Sequence, residues 1–170
     1  MTMNKLLRIL QHRWLDETDA RRALRPDALA RIEARVKASE SRHSGEIRVC
    51  VEAGLPLSYL WRNATARERA VTLFGKLRVW DTANNNGVLI YLLLAERRIE
   101  IVADRGLNTH VSTAQWQALL NSMAAAFKAG RFEAGLMAAI DAIDELLARH
   151  FPLAPGEVNP NELPDAPLLR

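Results

Sequence analysis

Residues 79–94 read VWDTANNNGVLIYLLL. An acid and three asparagines lead into Gly87, and every residue from Val88 to Leu94 is apolar. A continuous apolar run bounded by turn formers predicts a central strand covered on both faces. Asn and Gly tolerate left-handed backbone, and an Asn side chain can imitate a turn. Asn86-Gly87 is therefore expected to shape the strand's entrance. Downstream, Ala95-Glu96-Arg97 reads as a turn, after which Ile99 and Ile101 alternate with Arg98 and Glu100. So short a connection makes the two strands an antiparallel hairpin. Upstream, GEIRVCVEA (45–53) places Ile47, Val49 and Val51 on one face and Arg48, Cys50 and Glu52 on the other. That alternation predicts a strand with one well-buried face.

Helical spacing surrounds these strands. Leu29, Ile32 and Val36 form a stripe over 26–42, with Pro26 suited to a first turn. Residues 58–77 read as a single helix with Leu60, Ala64, Val71, Phe74 and Leu77 inward and Arg67, Glu68 and Arg69 toward solvent. Ser112 or Thr113 caps a helix carrying Trp116, Leu119, Leu120, Met123 and Phe127, and Gly130 ends it in left-handed backbone. A last helix buries Phe132, Leu136, Ala139, Ile140, Ile143 and Leu147. The order α, β, α, β–β, α, α predicts an α/β fold in which a small mixed sheet is sandwiched between helices. The expected divisions are an amphipathic N-terminal helical arm at 1–25, the domain at 26–151, and a Pro-rich tail at 152–170. Five prolines in that tail argue for a mobile or loosely docked segment.

Composition narrows the function classes. The formal net charge of +3 on 170 residues is mild, and no basic module of a nucleic-acid binder is present. Cys50 is the lone cysteine, so no internal disulfide forms, and helical cover would make it an inert packing residue. His12, His43, His110 and His150 lie far apart, without metal-ligand spacing. His110 is expected to bond a loop carbonyl, and Trp61, Trp80 and Trp116 to serve as core or lid aromatics. No apolar run approaches the length of a membrane span, and the first residues lack a signal-peptide pattern, so a cytoplasmic location is expected. Leu6, Leu7, Leu10 and Trp14 share one helical face, with Lys5, Arg8 and Arg13 around them. That stripe is expected to pack on the body, with binding to an anionic membrane surface as the alternative.

The start of one strand and the end of its antiparallel partner lie at the same sheet edge. Asp81, Asn85, Asn86 and Gly87 are thus expected to face Asp104, Arg105 and Gly106, forming a polar cleft. Glu46 could join from the side. Asp81 and Asp104 are the candidate ligands for a divalent cation, calcium or magnesium, and Arg105 could bind phosphate bidentately. No HxH, DxDxT-like or Cys-x5-Arg arrangement supports a phosphatase.

SGEIRVCVEA, NNNGVLIYLLL, IEIVADRGLN and FKAGRFEAGLMAAI together resemble the ordered motifs of the TPM domain family over roughly residues 40–151. The resemblance implies a mixed sheet between helices. It also implies kinship with plant thylakoid-lumen proteins linked to photosystem II repair and acid phosphatase activity, an animal membrane protein that modulates acetylcholine receptors, and many bacterial proteins. Some relatives bind divalent cations, usually calcium, near the Asn-Gly loop. Secreted relatives often carry Asp where this chain has Asn85, and Gly-Tyr-Gly-Leu-Glu where it has Asp104 to Asn108, which removes two acids. The expected function is therefore a non-enzymatic interaction module of a cytoplasmic bacterial branch, with an unidentified protein partner and acting at a membrane-associated complex. A metal-assisted, phosphatase-like hydrolase with its site at the Asn-Gly loop is the alternative.

Overall fold

The computed structural model describes residues 3–170 of the chain; Met1 and Thr2 of the expected arm lie outside the described residues. Twelve elements follow in order: α1 (Met3–Arg13), α2 (Glu17–Ala23), α3 (Pro26–Ser39), β1 (Glu46–Glu52), α4 (Leu57–Trp61), α5 (Ala66–Lys76), β2 (Gly87–Leu93), β3 (Arg98–Ala103), α6 (Arg105–Asn108), α7 (Thr113–Lys128), α8 (Phe132–His150) and β4 (Leu168–Leu169). The strand order is β3-β2-β1-β4. β2 runs antiparallel to β3 and parallel to β1, and β4 adds in parallel on the far side of β1. The helical crossover between β1 and β2 makes their parallel pairing possible.

Both faces of the sheet are covered. Ile47, Val49, Val51, Val88, Ile90, Leu92, Ile99 and Ile101 pack under α2, α3, α7 and α8. Cys50, Leu89, Tyr91, Leu93 and Val102 pack under α4, α5 and part of the C-terminal segment. All seven residues of β1 are buried, so the polar face expected of it is covered too. Its charges are neutralised there. Arg69 of α5 sets Nε and Nη2 on Glu52 at 2.9 and 2.6 Å, and the Tyr91 hydroxyl donates to Glu52 at 2.7 Å. Arg69 therefore lies inward, not in solvent, because it shares a face with Ala66, Ala70 and Leu73. Val71, expected inward, is exposed. The single helix expected over 58–77 is two, separated by Asn63 at φ 56° and restarted by a Thr65–Glu68 capping box.

The core reaches back across residue 26, since Ala20 and Leu24 are wholly buried. The segment after Phe151, expected to be mobile or loosely docked, is docked on the body. Arg48 donates to the carbonyls of Pro164 and Ala166, Asn159 donates to those of His43 and Gly45, and β4 closes the sheet. Prolines forbid a helix here but not an edge pairing of two residues.

The arm is inverted relative to expectation. Arg8 holds Glu96 at 2.7 Å and the Ala64 carbonyl at 2.8 Å, and buried His12 accepts from Leu55 N–H at 3.0 Å while facing Glu96 at 3.1 Å. The polar face of α1 thus meets the body. Leu6, Leu7, Leu10 and Trp14 point outward, and Trp14 is 84% exposed.

Candidate functional site

The Asn-Gly loop and the turn after β3 do meet at one end of the sheet. Asn85 adopts φ 51°, so it carries the left-handed turn that was expected of Asn86-Gly87. Gly87 is needed for a different reason: a Cβ there would lie 2.0 Å from the Val79 carbonyl oxygen. Gly106 is equally confined, with an added Cβ 2.4 Å from the Asn85 carbonyl oxygen. Its N–H donates to that carbonyl at 2.9 Å, and Arg105 donates from Nε and Nη2 to Asn85 Oδ1 at 3.2 and 3.0 Å. Asn86, fully buried, donates from its side-chain amide to Ser44 Oγ at 3.3 Å and from its backbone N–H to the Thr82 hydroxyl at 3.1 Å.

Asp104 and Asp81 have separate tasks. Asp104 caps α6 by accepting from Arg105 N–H at 2.7 Å, and its N–H donates to the Gly87 carbonyl at 2.9 Å. Asp81 is half-exposed and is held by Arg78 at 2.5 Å. Glu46 is buried and accepts from Leu163 N–H at 3.1 Å, so it serves the docked tail. The tail also reaches the loop, where Glu162 accepts from Ala83 N–H at 3.2 Å.

Two other expectations are changed, those for His110 and the tryptophans, while that for Cys50 holds. His110 bonds no loop carbonyl through its ring; it stacks on His150 with centroids 4.6 Å apart. Trp61 and Trp80 are surface residues, whereas Trp116 is half-buried and donates to Asn108 at 3.0 Å. Cys50 is buried, and burial, reinforced by Glu52, pushes its thiol up to about 12. It is not a nucleophile at neutral pH.

The donor set for a divalent cation is thin. Asn86 Oδ1 and Asp104 Oδ2 are shielded from solvent and have no partner. A hard cation prefers several carboxylate oxygens, but here Asp81 is turned to Arg78 and Glu46 and Glu162 are turned to the tail and loop N–H groups, while Arg105 adds a guanidinium. Among the described residues, no three His, Cys, Asp or Glu side chains gather closely enough to hold a metal ion. The residues present do not fit a calcium or magnesium centre built on Asp81 and Asp104.

The sequence profile of the TPM domain matches residues 18–146. The chain belongs to the TPM domain family. The BA42 protein from the psychrophilic bacterium Bizionia argentinensis has a similar structure, with 30% identity, 85% of this chain and 94% of that chain covered, and a TM-score of 0.73. The N-terminal domain of a protein from P. gingivalis shares the fold at 21% identity over 77% of this chain and 83% of that one, with a TM-score of 0.62. None of the curated proteins matches the chain. The profile begins at residue 18, so α1 precedes the matched region of the TPM domain and all of α2 after Glu17 lies within it.

Two clusters escaped sequence reasoning. One is the Glu52–Arg69–Tyr91 network beneath α5. The other joins Glu40 at the end of α3, Glu46 of β1 and Asp165 of the tail. Burial first, then the charges of Glu46 and Asp165, push Glu40 up to about 8. Burial also raises Glu46. The helical face shared by Arg69 with Ala66 and Ala70 was a usable signal for the first cluster. For the second there was none, because Asp165 lies far along the chain in a segment without periodicity.

Proposed function

We propose that this TPM domain protein is a non-enzymatic interaction module that seats on an anionic membrane surface through α1 and there serves a membrane-associated complex. The observation that carries this reading is the outward face of α1. Leu6, Leu7 and Leu10 are about half-exposed, Trp14 more so, and Leu57 and Trp61 of the adjoining α4 are exposed as well. The Lys5 ammonium lies 5.6 Å from the Trp61 ring centroid, and Arg13 and Arg62 stand free of burial nearby. An apolar stripe with aromatic residues and a basic rim suits the boundary between headgroups and acyl chains. Each basic residue near an anionic surface contributes about 1 kcal/mol, and the attraction falls with salt. The fold holds α1 by its polar side, so the apolar side is presented without any rearrangement.

The rival reading is a metal-assisted phosphatase-like hydrolase at the Asn-Gly loop. It needs an activated water or nucleophile beside a phosphate-binding cation. Asp81 bound to Arg78, and Arg105 bound to Asn85, give it little support.

Co-sedimentation with vesicles of phosphatidylglycerol and phosphatidylethanolamine tests the proposal. Binding is expected at low salt and is expected to weaken with added salt. It should be lost in Leu7→Asp/Leu10→Asp, whose changes fall on exposed positions. Absence of binding at low salt, or binding unchanged by the double substitution, overturns the membrane reading. Phosphomonoester turnover lost in Asp81→Ala or Asp104→Ala would sink the non-enzymatic one.

A further inference from the structure

β3 is an edge strand, and its outer rim is open in a specific way. Asp104 lies opposite Gly87 in continuation of the β2–β3 register, and its N–H bonds the Gly87 carbonyl. Hydrogen-bonded pairs alternate along an antiparallel ladder, so Val102, Glu100 and Arg98 also turn their backbone groups toward β2. Ile99, Ile101 and Ala103 turn theirs outward. Two of those three carbonyls are covered: Arg67 donates to Ile101 and Asn108 donates to Ala103. The three outward N–H groups find no acceptor among the described residues.

These donors line a groove. A hollow of about 760 Å³ runs along the β3 edge between Arg67 of α5 and Trp116 of α7. It shares Arg98, Glu100, Gln117 and Leu120 with a second hollow of about 330 Å³ that extends toward Lys128. The rim is basic. The Arg67 and Arg98 side chains are both about half-exposed, and Arg97 lies against the Lys128 carbonyl at 2.8 Å. Both acids that line the hollows are already held: Glu100 is buried and held by Arg98 at 2.9 Å and Arg67 at 3.9 Å, and Glu96 is held by Arg8 at 2.7 Å. Trp116 and Leu120 supply an apolar wall.

We propose that this groove accepts an acidic, extended segment of a partner polypeptide, which adds to the sheet as a strand beside β3. Strand addition at a free edge supplies affinity through main-chain bonds and selectivity through alternate side chains. The partner's carbonyls take the N–H groups of Ile99, Ile101 and Ala103. Its carboxylates draw Arg67 off the Ile101 carbonyl, which then accepts from the incoming strand. In the free protein Arg67 and Asn108 act as polar covers that keep the edge from pairing indiscriminately. The N–H donors of this site lie on β3 and not on the outward face of α1, so it stands whether or not the protein binds membranes.

The test is titration of ¹⁵N-labelled full chain with acetyl-Glu-Val-Thr-Val-Glu-amide, and with the same peptide carrying Lys at both ends. Saturable shifts are expected at the amides of Ile99, Ile101 and Ala103 and at the Trp116 indole. The Lys peptide is expected to bind at least 10-fold more weakly. Ala103→Pro removes one outward donor at an edge position where proline is tolerated, and should weaken binding at least 10-fold. Arg67→Glu, at a half-exposed position, should reverse the preference between the peptides. No saturable shift, shifts away from β3, or equal affinity for both peptides would overturn the proposal. So would peptide-independent dimerisation that Ala103→Pro reverses, since the edge would then belong to a second copy.

Discussion

Glu40 makes the stability of this protein depend on pH in a direction unusual for a carboxylate. It sits 5% exposed at the end of α3, faces Glu46 and Asp165, and has one oxygen without a partner. Only the Ile47 N–H favours its ionised form, against burial and two like charges. Its proton is held up to about 8 in the folded state, against 4.5 for the unperturbed group. The folded protein therefore binds this proton more tightly than the unfolded chain. The resulting stabilisation is full below about pH 4.5, shrinks between there and 8, and is gone above 8. At about 1.4 kcal/mol per pKa unit the ceiling is roughly 5 kcal/mol, and sharing of the proton with Glu46 brings the expected effect to about 3. The Arg48 guanidinium, which faces Asp165, stays charged over this range and does not change the sign. Glu40→Gln keeps the shape and stays neutral at every pH. Urea unfolding of both proteins at pH 5, 7 and 9 measures the difference. The two are expected to match within about 1 kcal/mol at pH 5, and Glu40→Gln to be more stable by about 3 kcal/mol at pH 9. Since Asp165 and the Glu46–Leu163 bond belong to the docked tail, protease sensitivity after Glu162 should rise with pH in the wild type only. A difference in stability that stays flat from pH 5 to 9, or that favours the wild type at high pH, would refute the reasoning.

Three further outcomes follow from the same structure. Arg69→Met leaves Glu52 buried without its cation and is expected to cost about 3–5 kcal/mol in urea unfolding, whereas Arg69→Met/Glu52→Gln recovers most of that loss. Gly87→Ala drives a Cβ into the Val79 carbonyl and should destabilise by about 3 kcal/mol, while Gly75→Ala, in open space on α5, should raise Tm slightly. His12, then Arg8, holds the Glu96 carboxyl down to about 2, so its stabilisation is present above pH 4.5 and lost as pH falls through 2; Glu96→Gln should loosen α1 at neutral pH, read as faster proteolysis after Arg13.

Much of the sheet was legible because strand burial leaves a simple mark. Val88 to Leu94 is apolar at every position since β2 is covered on both faces, and the short 95–97 turn leaves an antiparallel partner as the only pairing. β1 was legible as a strand but not as a fully buried one. Its charged face is neutralised by Arg69 from α5 and by tail carbonyls on Arg48, contacts that join distant segments. The two site loops were correctly placed together, because sheet topology alone brings a strand's start beside its partner's end. The roles within them were not legible. Asp81 answers to Arg78 three residues away, Asp104 to the first turn of α6, and Asn85 to Arg105, so local bonds absorb most of the groups that seemed free for a ligand and leave Asp104 Oδ2 and Asn86 Oδ1 without partners.

The N-terminal arm carries the sharpest lesson about periodicity. A stripe such as Leu6, Leu7, Leu10 and Trp14 establishes that a helix has an apolar side, but not what covers it. Here the body's nearby surface offers Glu96 and the unpaired backbone groups of Leu55 and Ala64. Leaving those buried without partners would cost about 1–3 kcal/mol each. Arg8 and His12 satisfy them from the polar side of α1, and the hydrophobic stripe cannot. The polar face is therefore drawn inward and the apolar face is left outside. A helix held this way has a surface that its own fold leaves uncovered, with aromatic residues at the rim and cations beside them, and that surface is what the proposed membrane contact would bury.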